Sequence, residues 1–197
     1  TEIDNTSLDN EFCFVVDPID GTRGFIDGKS SFSVSVGLVH QGQPVAGVVY
    51  APMDNMLITG AVGLGVFACG QKAQLRLQKE VECPRILTSK TEVKKQAWHP
   101  YADKFDLVPM GSVAYKLALM GAGKAHGVIS LRPKNLYDVC AGHAIIRAAG
   151  GVMADLSGED VPYTTPDHML TGLVAAGSTE AFHAFFVRLR QPQEQTG

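Results

Sequence analysis

The sequence predicts an α+β fold, an antiparallel sheet followed by a region where helix and strand alternate. Between Ser31 and Leu77 short apolar runs alternate with small or polar residues and are punctuated by Gly-containing turns, the mark of a half-buried antiparallel meander. Near Arg85 the pattern changes, and helical and strand periodicities take turns to the end of the chain. With 197 residues, 45% apolar and 19% charged, the chain is long enough to bury a sizeable core. The break at residues 81–85 divides it into an antiparallel-sheet unit over residues 1–84 and an α/β unit over residues 85–197.

The elements follow in order. Phe12-Cys13-Phe14-Val15-Val16 is rich in aromatic and β-branched residues and reads as a buried strand. It ends in Asp17-Pro18-Ile19-Asp20 and turns sharply at Gly21. Phe32, Val34, Val36 and Leu38 alternate along a second strand. His40 to Gln43 is a hairpin turn, and Pro44 to Tyr50 the returning strand. Met56–Gly60, Gly65–Cys69 and Ala73–Leu77 complete the meander. Beyond Arg85 the expected order is a strand to Ser89, a helix over Lys90–Tyr101 and a strand over Asp106–Met110. A helix over Ser112–Met120 and a strand over His126–Leu131 come next. Asp138 opens an apolar helix to Ala149, stopped by Gly150-Gly151. Val152–Asp155 and Leu173–Gly177 are strands, Glu180–Arg188 is the last helix, and Gln191–Gly197 is a polar tail.

Bulk properties exclude several classes. A net charge of −3 and the lack of a Lys/Arg block give no footprint for a nucleic-acid polymer. No apolar run has the length of a membrane span, and nothing at the N-terminus resembles a signal peptide. The four cysteines (Cys13, Cys69, Cys83, Cys140) lack Cys-x-x-Cys spacing and read as reduced thiols, several in the core, of a cytoplasmic protein. The chain starts at Thr1, almost directly on the Asp17 strand, so an N-terminal portion of the natural protein is expected to be absent from this sequence.

The chemistry gathers at Asp17 and Asp20. Two acids ending an apolar strand are costly to desolvate unless something cationic holds them. A pair of Mg²⁺ ions fits, because hard cations take oxygen ligands. Pro18 stiffens the turn, and the N–H groups of Gly21 and Thr22, at the start of a helix, are placed to attract phosphate. Asp138, at a helix start, is by itself a good N-terminal residue.

Asp17-Pro18-Ile19-Asp20-Gly21-Thr22 resembles the first signature of the inositol monophosphatase family of Mg²⁺-dependent, Li⁺-sensitive phosphatases. Tyr137-Asp138-Val139-Cys140-Ala141-Gly142, followed by Ala148-Ala149-Gly150-Gly151, resembles the second, with Tyr137 in place of the usual Trp. The resemblance runs over the whole chain. It implies a layered αβαβα sandwich of the sugar-phosphatase type, two or three Mg²⁺ ions, a small phosphorylated metabolite as substrate and a homodimer. By matching positions, Asp17 bridges two ions, with the Ile19 carbonyl on the first and Asp20 and Asp138 on the second. Thr22 orients and deprotonates the attacking water. Gly21 and Thr22 hold the phosphate, and Gly111, Ser112 and Val113 line the substrate side. One ion activates the water and the other stabilises the leaving oxygen, so no phosphoenzyme is required.

Two departures stand out. The family carries a metal-binding Glu upstream of the first signature. Here only Glu2 and Glu11 precede it, Glu11 too close to the strand and Glu2 read as a surface residue. Inositol monophosphatases proper also carry a Glu shortly before the second signature. This chain has Ser130-Leu131-Arg132-Pro133-Lys134-Asn135-Leu136, with cations that are either solvated or hold a second phosphate. Together with Thr22–Ile26, Val48–Pro52 and Ala141–Ala144, this resembles the branch that hydrolyses 3′(2′),5′-bisphosphate nucleotides. An inositol-1-monophosphatase and a non-catalytic member of the same fold remain the alternatives. His143 is read as structural. Lacking the upstream Glu and the helices expected to cover the first sheet, residues 1–197 alone are expected to turn over substrate weakly or not at all. A phosphate-release assay of this chain alone checks this, and full turnover would contradict it.

Overall fold

The computed structural model describes residues 11–28, 31–75, 81–164 and 168–191. Strands β1 (Phe12–Asp20), β2 (Ser33–His40), β3 (Gln43–Ala51), β4 (Met56–Ala61), β5 (Gly65–Ala68) and β6 (Gln71–Ala73) form a six-stranded sheet in chain order, every pairing antiparallel. A second sheet contains β7 (Arg85–Ser89), β8 (Asp106–Met110), β9 (Gly127–Ser130), β11 (Val152–Ala154) and β13 (Leu173–Ala176). Its order is β11-β13-β9-β7-β8. β7 runs parallel to both β8 and β9, whereas β13 is antiparallel to its two neighbours. A two-stranded pair, β10 (Lys134–Asn135) with β12 (Met169–Leu170), lies apart from both. The helices are α1 (Thr22–Ile26), α2 (Lys90–Lys94), α3 (Val113–Gly121), α4 (Leu136–Ala148) and α5 (Thr179–Arg190).

The expected α+β class is found. Helices α3 and α4 pack against each other between the two sheets, and α5 covers the far face of the second sheet through Phe182, Phe185 and Phe186. That i, i+3, i+4 spacing puts three rings on one helix face. Ser178 starts α5 by accepting a hydrogen bond from the Ala181 N–H, and Arg188 and Arg190 sit in its last turn, where cations suit the helix dipole. α4 follows the first sheet in space although it belongs to the later half of the chain. It lies on β1 to β5, with Cys140, Ala141 and Ile145 in the interface. The approach is close because the strands offer glycines there. A Cβ on Gly47 would strike the Ala141 carbonyl, and one on Gly37 the Cys140 sulfur.

Several expectations need correcting. The Phe12–Val16 strand is not buried. Among the described strands it lies at the sheet edge, and its outward residues are open, Phe14 being 70% exposed, because only its inward residues face α4. The outward apolar face continues through Val34, Val48, Tyr50 and Leu57, and no described element covers it. The helix expected over Lys90–Tyr101 closes after Lys94, and a short 3₁₀ turn at His99–Tyr101 follows. Of the four thiols, all free, only Cys140 is buried, and Cys69 and Cys83 are exposed. Asp138 does not open its helix: α4 begins at Leu136 with Asn135 as its N-cap. The β10–β12 pair went unforeseen, two residues being too few to show a period. His143 is structural as expected, its Nδ1 lying 3.1 Å from the buried Tyr163 hydroxyl, and burial drives its imidazole down to about 3. Residues 76–80 and 192–197, and Glu2, lie outside the described residues.

The glycine contacts give the first prediction. Gly47→Ala should destabilise the protein by about 1–3 kcal/mol, since the overpacked methyl must push α4 off the sheet. Urea unfolding with the wild-type protein in parallel measures it, and an unchanged midpoint would mean that the helix seat is loose.

Candidate metal centre

The first sheet delivers Asp17 and Asp20 at the end of β1. Pairing with β2 is regular from Phe12↔His40 to Asp17↔Ser35, then slips, and resumes at Asp20↔Ser33. Pro18 sits within that slip, where its missing N–H costs no ladder bond. The irregularity turns both acids to the inner side, where each is only 7% exposed. The Ile19 N–H donates to Asp17 Oδ1 at 3.0 Å, and the Thr22 hydroxyl donates to the Ile19 carbonyl at 3.1 Å. Gly21 makes the turn with φ +88°, and a Cβ there would strike the Ser31 carbonyl, so glycine is required twice over.

Asp20 is fixed by α3. Its Oδ2 accepts from the Ser112 hydroxyl at 2.6 Å and from the Ala114 N–H at 2.7 Å. Ser112 is the N-cap of α3, its hydroxyl also accepting from the Tyr115 N–H and lying 2.8 Å from that of Ser33. It holds an unusual φ of +36°, a conformation that needs such over-determination. Gly111 passes so close to Ser31 that a side chain there would collide with it. Of the residues expected to line the substrate side, Ser112 spends its hydroxyl on Asp20, and the Val113 side chain enters the core beside Leu117.

Asp138 arrives from α4. It is the third residue of the helix, and its Oδ2 accepts from the Asn135 N–H at 3.1 Å. Asp138 is therefore both a helix-end acceptor and a member of the acid cluster. Ligand oxygens of Asp17, Asp20 and Asp138 all lie within 4.8 Å of one another. Glu11 immediately precedes β1, exposed, with a carboxylate oxygen 3.7 Å from His40 Nε2, and has no part in the cluster.

The electrostatics say what such a cluster lacks. Burial, then repulsion from Asp20, push the Asp17 carboxyl up to about 7, and the Ile19 N–H only partly opposes this. Asp20 and Asp138 are also raised, both mainly by burial. Beside Asp17, on the facing strand, Ser35 buries its hydroxyl with no hydrogen-bond partner. Three acids with suppressed ionisation and an unpaired polar group fit a hard divalent cation such as Mg²⁺, which favours ionised oxygen ligands and offsets their mutual repulsion.

Two basic residues border the cluster. Lys116, 2% exposed on α3, is lowered to about 8 by burial, and the Asp20 charge opposes part of that. Lys134 on β10 is lowered mainly by burial, and stands within electrostatic reach of Glu92, Asp138 and Asp20. Sequence reading missed Lys116 and Glu92. A lone charge inside the apolar run Val113–Met120 was a visible signal for Lys116. Glu92 sits among Lys and Thr residues and gives none.

The model of the inositol monophosphatase family matches residues 1–195. The chain belongs to this family. Among curated family members, it is 30% identical over 160 residues to the 3′(2′),5′-bisphosphate nucleotidase CysQ of Escherichia coli (strain K12), covering 80% of this chain and 64% of that protein. It is also 30% identical to the Nus factor SuhB of the same strain, covering 96% of this chain and 70% of the relative. The chain thus spans less than two thirds of the length of the CysQ relatives. The structure of inositol monophosphatase from Anabaena (Nostoc) sp. PCC 7120 superposes with a TM-score of 0.81 at 23% identity, covering 97% of this chain and 76% of that one. This likeness concerns the fold. A Pyrococcus horikoshii protein described as similar to inositol-1 monophosphatase gives a TM-score of 0.73 at 29% identity, covering 94% and 72%.

The acid cluster predicts a specific pH response. Asp17 binds its proton more tightly folded (about 7) than at its ordinary value near 3.8. Between those values the native state holds more protons than the unfolded chain, so metal-free stability falls as pH rises through that window. Mg²⁺ competes with those protons. Thermal melts in EDTA should therefore show a lower Tm at pH 8 than at pH 5.5, and added Mg²⁺ should raise Tm more at pH 8. A Mg²⁺ response independent of pH would contradict the assignment.

Proposed function

We propose that the protein is a Mg²⁺-dependent phosphomonoester hydrolase and that its substrate is a small metabolite with a second phosphate, a 3′(2′),5′-bisphosphate nucleotide. The carrying observation is the convergence of Asp17, Asp20 and Asp138 from two distant parts of the chain to within 4.8 Å. Family membership supports the reaction class. The relatives' names point both to a bisphosphate nucleotidase and to other roles, so the preference for a second phosphate rests on the chain itself. Arg132 and Lys134 occupy the segment before Asp138, which carries no acid.

In this reading Asp17, the Ile19 carbonyl, Asp20 and Asp138 hold the ions. Bound Mg²⁺ supplies charge neutralisation of the phosphate and of the leaving oxygen, together with acidification of water. Thr22, its hydroxyl on the Ile19 carbonyl, orients the attacking water, and the N–H groups of Gly21 and Thr22 receive phosphate oxygens. Ser112 and the Ala114 N–H keep Asp20 in one rotamer, so its free oxygen is preorganised.

The test is phosphate release by the complete natural protein from adenosine 3′,5′-bisphosphate, inositol 1-phosphate and fructose 1,6-bisphosphate, with and without Mg²⁺. The bisphosphate nucleotide should be preferred and EDTA should abolish turnover. Release from none of the three would favour a non-catalytic member of the fold. Asp20→Asn keeps an acceptor for Ser112 and Ala114, so the fold should survive while kcat falls about a hundredfold or more. Near-normal turnover by a folded Asp20→Asn protein would remove Asp20 from the metal site.

A further inference from the structure

Glu92 is the most heavily bonded buried acid among the described residues that plays no part in the metal cluster. It is fully buried beside the C-terminal ends of the paired strands β7 and β9. Its Oε1 accepts from the Ser130 hydroxyl at 2.7 Å. Its Oε2 accepts from the Thr88 hydroxyl at 3.3 Å, the Trp98 indole N–H at 3.1 Å and the Leu131 N–H at 3.2 Å. One carboxylate thus ties together the end of β7, the turn after α2 and the end of β9. Such a group is expensive to bury and is tolerated because its acceptor sites are filled.

The segment it anchors is the one that leads to Asp138. Residues 131–135 bridge β9 and α4 and are held at three places. Glu92 grips Leu131, β12 pairs with Lys134 and Asn135, and Asp138 takes the Asn135 N–H. Within this strap the Lys134 ammonium donates to the Arg132 carbonyl at 3.2 Å and the Pro133 carbonyl at 3.1 Å, which occupies two of its three N–H bonds. It is thus a half-buried cation held by neutral carbonyls within electrostatic reach of the metal cluster. Left alone there it would oppose metal binding. An anion placed between it and the ions would make the arrangement favourable.

We propose that Lys134 is a specificity-determining residue that takes the phosphate of the substrate that is not hydrolysed, and that buried Glu92 is its positioning residue, holding the strap 131–135 in register. This rests on the two-phosphate reading above and adds the residues that would enforce it.

The test compares kcat/KM for adenosine 3′,5′-bisphosphate with that for inositol 1-phosphate in the complete protein. Lys134→Met should lower that ratio about tenfold or more, mainly through KM for the bisphosphate. Glu92→Ala should lower it too, by loosening the strap. Glu92→Gln should restore it, because its carbonyl can accept the three Oε2 bonds. Its amide can donate to Ser130, whose own proton can turn to the Arg132 carbonyl 3.4 Å away. A purely structural Glu92 would shift both substrates alike, and that result would overturn its positioning role. An unchanged ratio in folded Lys134→Met would overturn the whole proposal. If no substrate is hydrolysed, the proposed reaction fails, but calorimetric titration of the unconverted bisphosphate into wild-type and Lys134→Met protein still decides. Tenfold weaker binding in the variant supports the Lys134 site, and equal binding refutes it.

Discussion

Everything in this molecule that concerns chemistry follows from like charges forced together. Asp17, Asp20 and Asp138 share a space less than 5 Å across, with two of them nearly inaccessible to water. Such a group is unfavourable in an empty protein, and the chain must spend hydrogen bonds to hold it. It does so asymmetrically. Asp17 takes one local N–H, Asp20 takes a hydroxyl and an N–H at the α3 start, and Asp138 takes the N–H of its own N-cap. In Asp20 and Asp138 a single oxygen is committed to the scaffold. At least one oxygen of each acid lies within 4.8 Å of the others, an arrangement that suits a hard cation.

The scaffold serves that arrangement by bringing helix starts to a strand end. The β1 irregularity at Pro18–Ile19 aims two acids inward, and α3 and α4 begin beside it. Helix N-termini offer unsatisfied N–H groups, so they temper the repulsion while leaving one face of each carboxylate open. The basic residues lie one layer further out. Lys116 is buried under the cluster, and Lys134 is carried on the strap that Glu92 pins.

How much of this was legible depended on whether the signal was local. Asp17 and Asp20 stood out because acids ending an apolar run contradict their surroundings, whereas Asp138 read by itself as a helix-end residue and stood out only through the resemblance of its segment to the family's second signature. The meander was legible because period-two alternation and turn residues agree over forty residues. The β1 exposure was not: Phe, Val and Cys read as core whether one face or two are covered, and the covering partner is a property of tertiary layout. The position of Asp138 within α4 was shifted because Leu136 and Tyr137 carry no capping signal and Asn135 does. Glu92 was illegible for a deeper reason. Its four donors come from residues 88, 98, 130 and 131, and a polar run around it looks like any solvated helix.

The seat of α4 has a consequence for how the molecule comes apart. A helix contributed late in the chain is clamped by glycine-sized gaps onto strands contributed early, and it carries one acid while they carry two. Neither half can melt without stripping the other of its packing partner. Partial unfolding that spares the acid trio is therefore disfavoured, and the site should be lost in a single concerted step rather than eroded gradually.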